Sequence, residues 1–315
     1  MALIEECEAL TKAFSGIGVD EKSIISIAGK WNPVQTDSFR KGCEFFADDG
    51  HYHAFEKWDN DYVKLLELEF SRLREAVLLW TMHPWERDAR MIKESLIKGP
   101  KWYGVIIEIA CTRSSEELLG ARKAYHSLFD RSIEEDVAHR VTDVNRNLLV
   151  ALVSSYRYQG PKVHAETAKA EAKILANAIK SSGNELEKNA EVLRILTTRS
   201  KASLQAIFKH YKELYGKNIE EDLNQDDLIL RDTIGSLGYP HIYFSKVLDK
   251  ALNVKADEYT KDALTRVVVT RADIDMKGIN EEYQKLYGIS LSQKIEEITR
   301  GSYKEFLLTL VARGN

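Results

Sequence analysis

The residues best suited to chemistry lie near the start of the chain, in Phe14-Ser15-Gly16-Ile17-Gly18-Val19-Asp20-Glu21. Two glycines one residue apart let a backbone turn tightly and present successive carbonyl oxygens outward. A hard cation such as calcium takes about six to eight oxygen ligands, and neutral carbonyls can supply several of them. Such a loop carries little charge of its own, so a carboxylate from elsewhere in the chain must complete it. A Gly-x-Gly is equally a plain helix-linking turn. The elements around it decide between the two.

Other reactive groups give weaker signals. His51 and His53 stand two apart, a spacing that turns them to different sides of a helix, and no third ligand for a metal is identifiable. Asp275-Met276-Lys277-Gly278 has the outline of a nucleotide-hydrolase Asp-x-x-Gly, but no Gly-x-x-x-x-Gly-Lys-Ser/Thr phosphate cradle accompanies it. Gly-x-Ser-x-Gly elbows and His-Glu-x-x-His zinc motifs are absent. Cys7, Cys43 and Cys111 form no Cys-x-x-Cys pair, which fits a reducing compartment and argues against a disulfide scaffold or structural zinc.

The elements that must position the loop are helical and repeated. The 315 residues are 44% hydrophobic and 30% charged, enough apolar material for a sizeable core. The formal charge of −4 supplies no global field toward nucleic acid, so no nucleic-acid partner is expected. Five prolines leave long stretches open to helix. Met1 to Glu6 lacks the basic-then-apolar layout of a signal peptide, and no run approaches the roughly 18 apolar residues of a membrane span.

Thr112-Arg113, Thr198-Arg199 and Thr270-Arg271 each follow an apolar run. Each arginine is followed 12 positions later by a tyrosine, Tyr125, Tyr211 or Tyr283, opening a Tyr-x-x-Leu-aromatic group. Four and eight residues beyond that group come Ile133 and Val137, Ile219 and Leu223, and Leu291 and Ile295, on one helical face. A diverged fourth copy occupies the N-terminal part, where Ser23 to Ala28 corresponds to Val105 to Ala110. In the second copy the periodicity predicts helices over 86–98, 102–111, 115–128, 133–140 and 145–157, with Ser114 and Glu117 spaced as a capping box. The three arginines sit where a cation complements a helix C-terminus, a structural role. Asp130, Gly216 and Gly288 mark helix stops. Gly160-Pro161 marks the best linker, dividing the four copies two and two.

On these residues the chain resembles the annexins, and specifically a divergent subgroup of plant annexins. Ile109-Ala110-Cys111-Thr112-Arg113-Ser114, Ala121-Arg122-Lys123-Ala124-Tyr125-His126, Ser154-Ser155-Tyr156-Arg157-Tyr158 and Ala172-Lys173-Ile174-Leu175 carry most of the resemblance, which covers nearly the whole chain. It implies an all-α fold of four repeats, each of about five helices, forming a slightly curved disc. The repeats would span 1–84, 85–160, 161–240 and 241–315. The convex face would bind Ca2+ and, through it, anionic phospholipid headgroups, placing the protein in the cytoplasm and peripherally on membranes when calcium rises, in calcium or stress signalling. Other annexins or actin are implied as partners, and self-association as well. The family's loop pattern maps the metal ligands onto the carbonyls of Phe14, Gly16 and Gly18 and onto the carboxylate of Glu69, with Glu67 as the fallback. Val19 stands where the family has threonine.

The remaining repeats depart from the pattern. Lys98-Gly99-Pro100-Lys101-Trp102-Tyr103 replaces the second loop, and Ser181-Ser182-Gly183-Asn184-Glu185 holds a single glycine in the third. In the fourth, Ala256 stands for the glycine and Ile298 for the acid, leaving Glu297 as substitute. Lys98, Lys101 and Trp102 could instead touch a headgroup layer without calcium. The peroxidase histidine proposed for plant annexins corresponds here to Gly29, and of a proposed cysteine pair Cys111 survives opposite Ser236. Peroxidase and nucleotide hydrolysis are therefore not expected. Leu193-Arg194-Ile195, like an actin-binding proposal for the family, has the apolar flanks of a core helix. The alternative function is a calcium-independent helical scaffold that binds proteins, or lipid through basic and aromatic side chains.

Overall fold

The structure is a computed structural model describing residues 2–42, 45–46, 58–154, 157–182, 186–224 and 226–314. Cys43, the His51 and His53 pair, Ser155-Tyr156 and Gly183-Asn184-Glu185 lie outside the described residues. The chain begins with α1 (Ala2–Ala13), α2 (Glu21–Ile27), α3 (Pro33–Gly42) and α4 (Asn60–Thr81). Next come α5 (Pro84–Lys98), α6 (Tyr103–Thr112), α7 (Ser115–Phe129), α8 (Ile133–Arg140) and α9 (Arg146–Ser154). These match the five expected helices, except that Arg157 lies beyond the last one. The third repeat holds α10 (Ala165–Ser182), α11 (Ala190–Thr198), α12 (Lys201–Tyr215) and α13 (Leu228–Gly238). The fourth holds α14 (Pro240–Ala251), α15 (Glu258–Arg271), α16 (Met276–Tyr287), α17 (Leu291–Ile298) and α18 (Gly301–Ala312). Among the described residues there is no strand, and no helix is long and apolar enough to cross a membrane.

The repeat signature explains the helix boundaries. Ser114 accepts from the Glu117 amide while Glu117 accepts from the Ser114 amide, the expected capping box. Ser132 with Glu135 and Ser290 with Gln293 repeat the device. Asp130, Gly216 and Gly288 take left-handed backbone, with φ of 53°, 75° and 70°, and stop α7, α12 and α16. Tyr125, Tyr211 and Tyr283 are buried, and each hydroxyl needs an acceptor. Tyr125 donates to Asp136 at 2.5 Å and Tyr211 to Asp222 at 2.6 Å, both partners 11 residues on. In the fourth copy that position is Lys294, and Asp249 of α14 accepts from Tyr283 at 3.0 Å instead.

The Thr-Arg arginines each take a carboxylate: Arg113 binds Asp88 at 2.6 and 2.8 Å, Arg199 binds Glu171, and Arg271 binds Asp275. Their role is structural, and in the first two cases the pairing ties the end of one helix to the side of another.

The chain divides into two compact units, Met1–Thr81 with Ser245–Asn315, and Met82–Phe244. The Gly160-Pro161 connection thus runs inside the second unit. The division groups the chain ends together, where chain order suggested first half against second. In the first unit Tyr283, Tyr303 and Ile17 are buried, with Leu10, Phe39 and Phe45 forming a further cluster. In the second, Ile106, Ile107, Tyr125 and Phe208 are buried.

Candidate calcium-binding loop

The loop begins where α1 runs out of helix. The amides of Phe14 and Ser15 still reach back to Leu10 and Lys12 at 3.3 and 3.1 Å. The chain then turns through Gly16 at φ 101° and Gly18 at φ 84°, a region costly for any residue with a Cβ. Space also demands glycine: a Cβ would stand 3.0 Å from the Ile298 carbonyl at Gly16 and 2.9 Å from the Arg300 carbonyl at Gly18. Between them Ile17 is fully buried and pairs like a strand residue with the α17–α18 junction. Its amide donates to Ile298 at 3.3 Å and its carbonyl accepts from Arg300 at 2.9 Å. Asp20 then caps α2, accepting from the Ser23 amide at 3.1 Å.

Some of the loop carbonyls are committed and others are not. Those of Ala13, Ile17 and Val19 accept from the amides of Asp20, Arg300 and Glu21 at 3.0, 2.9 and 3.2 Å. Among the described residues, the carbonyls of Phe14, Ser15, Gly16 and Gly18 accept no hydrogen bond. The sequence assigns three of these, Phe14, Gly16 and Gly18, as ligands.

Glu69 of α4 reaches this loop, its Oε2 accepting from the Gly18 amide at 2.6 Å. Glu67, two residues earlier on the helix, is exposed and faces elsewhere. Glu69 is only 3% exposed, and so buried a carboxylate requires compensation. Arg72, one turn on, supplies it with a two-point contact, Nε to Oε2 at 2.5 Å and Nη2 to Oε1 at 2.9 Å. Arg72 also meets Glu258 at 2.8 Å and Asp262 at 3.5 Å, both on α15. Burial works against its charge, but the hydrogen bonds and charge of Glu69, and then Glu258, hold its pKa above the ordinary value. Lys261 stands 3.4 Å from Glu258. The donor set fits a hard cation: the three assigned carbonyls, all uncommitted, with a carboxylate oxygen that retains a lone pair.

Arg72 and the α17–α18 junction were missed from the sequence. The Glu69–Arg72 spacing of three on a helix was a usable signal. A bridge between residues 17 and 299 had none.

The other loops differ. Lys98 of the second repeat pairs with Glu94 at 2.6 Å and lies 3.8 Å over the Trp102 ring. In the fourth, Asp257 is spent capping α15 through the Thr260 amide at 2.9 Å. Glu297 is exposed, and the Ile298 carbonyl holds the first repeat's loop. Leu193-Arg194-Ile195 lies on α11 with Ile195 buried and Arg194 paired to Glu171 and Glu191. Asp275 is the partner of Arg271.

Comparison with known proteins speaks to the family and the fold. The family model described as Annexin matches residues 87–152, 170–228 and 243–310. Annexin D4 of Arabidopsis thaliana is 50% identical, the alignment covering 100% of both chains. Annexin Gh1 of Gossypium hirsutum is 42% identical, covering 97% of this chain and 94% of its own. Among solved structures, annexin III superposes with a TM-score of 0.68 at 27% identity, covering 100% of this chain and 94% of that one. A helical four-copy pattern, the family model on three copies and full-length plant relatives agree: the chain belongs to the annexin family.

Proposed function

We propose that this annexin binds anionic phospholipid membranes in a calcium-dependent way, through the carbonyls of Phe14, Gly16 and Gly18 and the carboxylate of Glu69. Family membership supports the general activity. The observation that carries the site is a run of carbonyls that accept no hydrogen bond, those of Phe14, Gly16 and Gly18 among them, beside a buried carboxylate anchored on the Gly18 amide. A divalent cation at the loop adds positive charge, part of which a headgroup phosphate neutralises while completing the shell. Each ligand then raises affinity for the other by the same factor. Calcium alone binds weakly, at roughly 10⁻⁴ M or poorer, because the site offers one carboxylate.

A non-enzymatic role is part of this reading. Cys111, the surviving member of the cysteine pair, is fully buried, and burial pushes its thiol up to about 12, so almost no thiolate exists at neutral pH. Cytoplasmic residence, peripheral attachment to membranes and a part in calcium signalling follow from the proposed activity.

Cosedimentation with phosphatidylserine vesicles over a calcium series tests it. Wild type pellets with the vesicles in calcium and is released by chelator. Glu69→Gln raises the half-maximal calcium about tenfold or more, equivalent to about 1.4 kcal/mol. Binding unchanged by chelator would favour the calcium-independent scaffold and sink the proposal.

A further inference from the structure

The second unit holds a cavity that points to a different ligand. Its volume is about 440 Å³, and it opens between the start of α9, the short 3-10 helix Leu186–Lys188 before α11, and the segment leading into α13. Glu187 lines it from the 3-10 helix, and Asp226 and Asp227 line it from the segment before α13. Val144, Leu228 and Ile229 supply apolar surface. Among the described residues, no Lys, Arg or His lines it. Arg231, one turn beyond Asp227, donates instead to the carbonyls of Leu223 at 2.7 Å and Asn224 at 3.0 Å.

Glu187 is the unusual group. It is only 4% exposed, yet among the described residues its Oε2 has no hydrogen-bond partner. Burial pushes its carboxyl above the ordinary value; its own backbone amide offsets part of that, and the like charges of Asp227 and Asp143 add to the rise. A buried carboxylate oxygen left bare costs free energy, and a donor entering through the cavity removes that cost. Asp227 Oδ2 accepts from the Asn224 amide at 3.1 Å and, as a carboxylate oxygen, has room for a further donor.

The lining favours an organic cation over a metal ion. In the proposed calcium loop several carbonyls are uncommitted. Here those of Asn145, Asn224, Asp226 and Asp227 already accept from the amides of Leu149, Asp227, Leu228 and Arg231, at 3.0, 3.2, 2.8 and 2.9 Å. Among the described residues, no three His, Cys, Asp or Glu side chains stand close enough together to hold a metal ion. With liquid water taking about 30 Å³ per molecule, the space is also far larger than a bare ion needs. Carboxylates that share a cavity without converging match a ligand whose positive charges are spread along its length. The apolar surface beside them matches methylene groups, and ammonium groups supply the donors for charge-assisted hydrogen bonds.

We propose that this cavity binds a small organic dication, two primary ammonium groups joined by a short alkyl chain, with Glu187 receiving one ammonium, Asp226 and Asp227 the other, and Val144, Leu228 and Ile229 covering the methylenes. The full-length protein in chelator, titrated with diaminobutane at constant ionic strength, tests this by calorimetry. Saturable binding is expected, weakened about tenfold or more in Glu187→Gln and in Asp227→Asn. Each variant keeps the size and an acceptor oxygen of the side chain while removing its charge, so the helical circular dichroism stays unchanged. Butylamine, with the same chain and a single charge, binds wild type about tenfold or more weakly than diaminobutane does. Binding lost in both variants with the fold intact supports the site. No saturable binding, binding that either variant leaves intact, or equal binding of butylamine overturns it. Absence of diaminobutane binding beside calcium binding that Glu187→Gln removes would give the cavity to a metal and overturn it too. Glu69→Gln leaves the diaminobutane titration unaltered, so the outcome is independent of the calcium loop.

Discussion

At the scale of single residues, Arg72 decides how the proposed calcium loop behaves without metal. It balances a carboxylate that burial would otherwise penalise, and it competes with an incoming cation for the same oxygens. Replacing it with Met leaves Glu69 buried and unpaired, a loss of about 3–5 kcal/mol. On the proposed reading, calcium then substitutes for the guanidinium. In Arg72→Met, urea unfolding without calcium shows the deficit, and added calcium recovers more stability than in wild type. Equal calcium responses in the two proteins would refute competition. The loop's glycines were legible in sequence because positive φ and close backbone approach exclude other residues. Arg72 could have been read from its spacing to Glu69. The placing of Glu69 rather than Glu67 depended on family spacing, since Val19 and an irregular interval obscured the local pattern.

At the scale of elements, helix boundaries were the most readable feature, because caps obey local rules. Ser114-Ser115-Glu116-Glu117 stops one helix and starts another with no help from distant residues. The left-handed stops were equally plain, and they yield a prediction. Asp130 occupies at φ 53° a conformation that the corresponding Gly216 and Gly288 adopt without strain. Asp130→Gly therefore stabilises the protein by about 0.5–1 kcal/mol, seen as a higher urea midpoint. A lower midpoint would mean that the Asp130 side chain does more than end a helix. Less readable were contacts whose donor and acceptor come from different helices. Tyr283 has the same local sequence as Tyr125 and Tyr211, yet Lys294 removes its expected partner and Asp249 replaces it from α14. The pairing of Ile17 with Thr299 lay beyond periodicity altogether, because a tertiary bridge of one residue leaves no pattern in either segment.

At the scale of the whole molecule, ion pairs tie stability to pH. Burial alone would raise Asp136, but Lys93 and the Tyr125 hydroxyl overcome it and hold the carboxyl below its usual value. Arg199 and Arg194 do the same for Glu171 against burial, and Lys217 for Asp222. A carboxylate depressed in the folded state adds stability that is present above its unfolded pKa of about 4 and lost as pH falls through the lowered value. Glu187, pushed up by burial and then by Asp227 and Asp143, acts in the opposite direction. Urea midpoints are therefore level near neutrality and decline below about pH 4, with a smaller decline in Asp136→Asn. A midpoint constant down to pH 3 would contradict this.

The division into a continuous unit and one assembled from both chain ends also sets an order of events. Residues 82–244 can collapse from neighbouring segments, whereas the loop at residue 17 waits for an anchor about 280 positions later. Closing so long an interval is entropically slow, and contacts of this reach delay folding. During synthesis the first 81 residues emerge long before the last helices, with Phe70 and Leu78 on α4 still uncovered even in the finished protein. The nascent N-terminal segment therefore waits longest for its partners, and the proposed metal site is among the last structures to form.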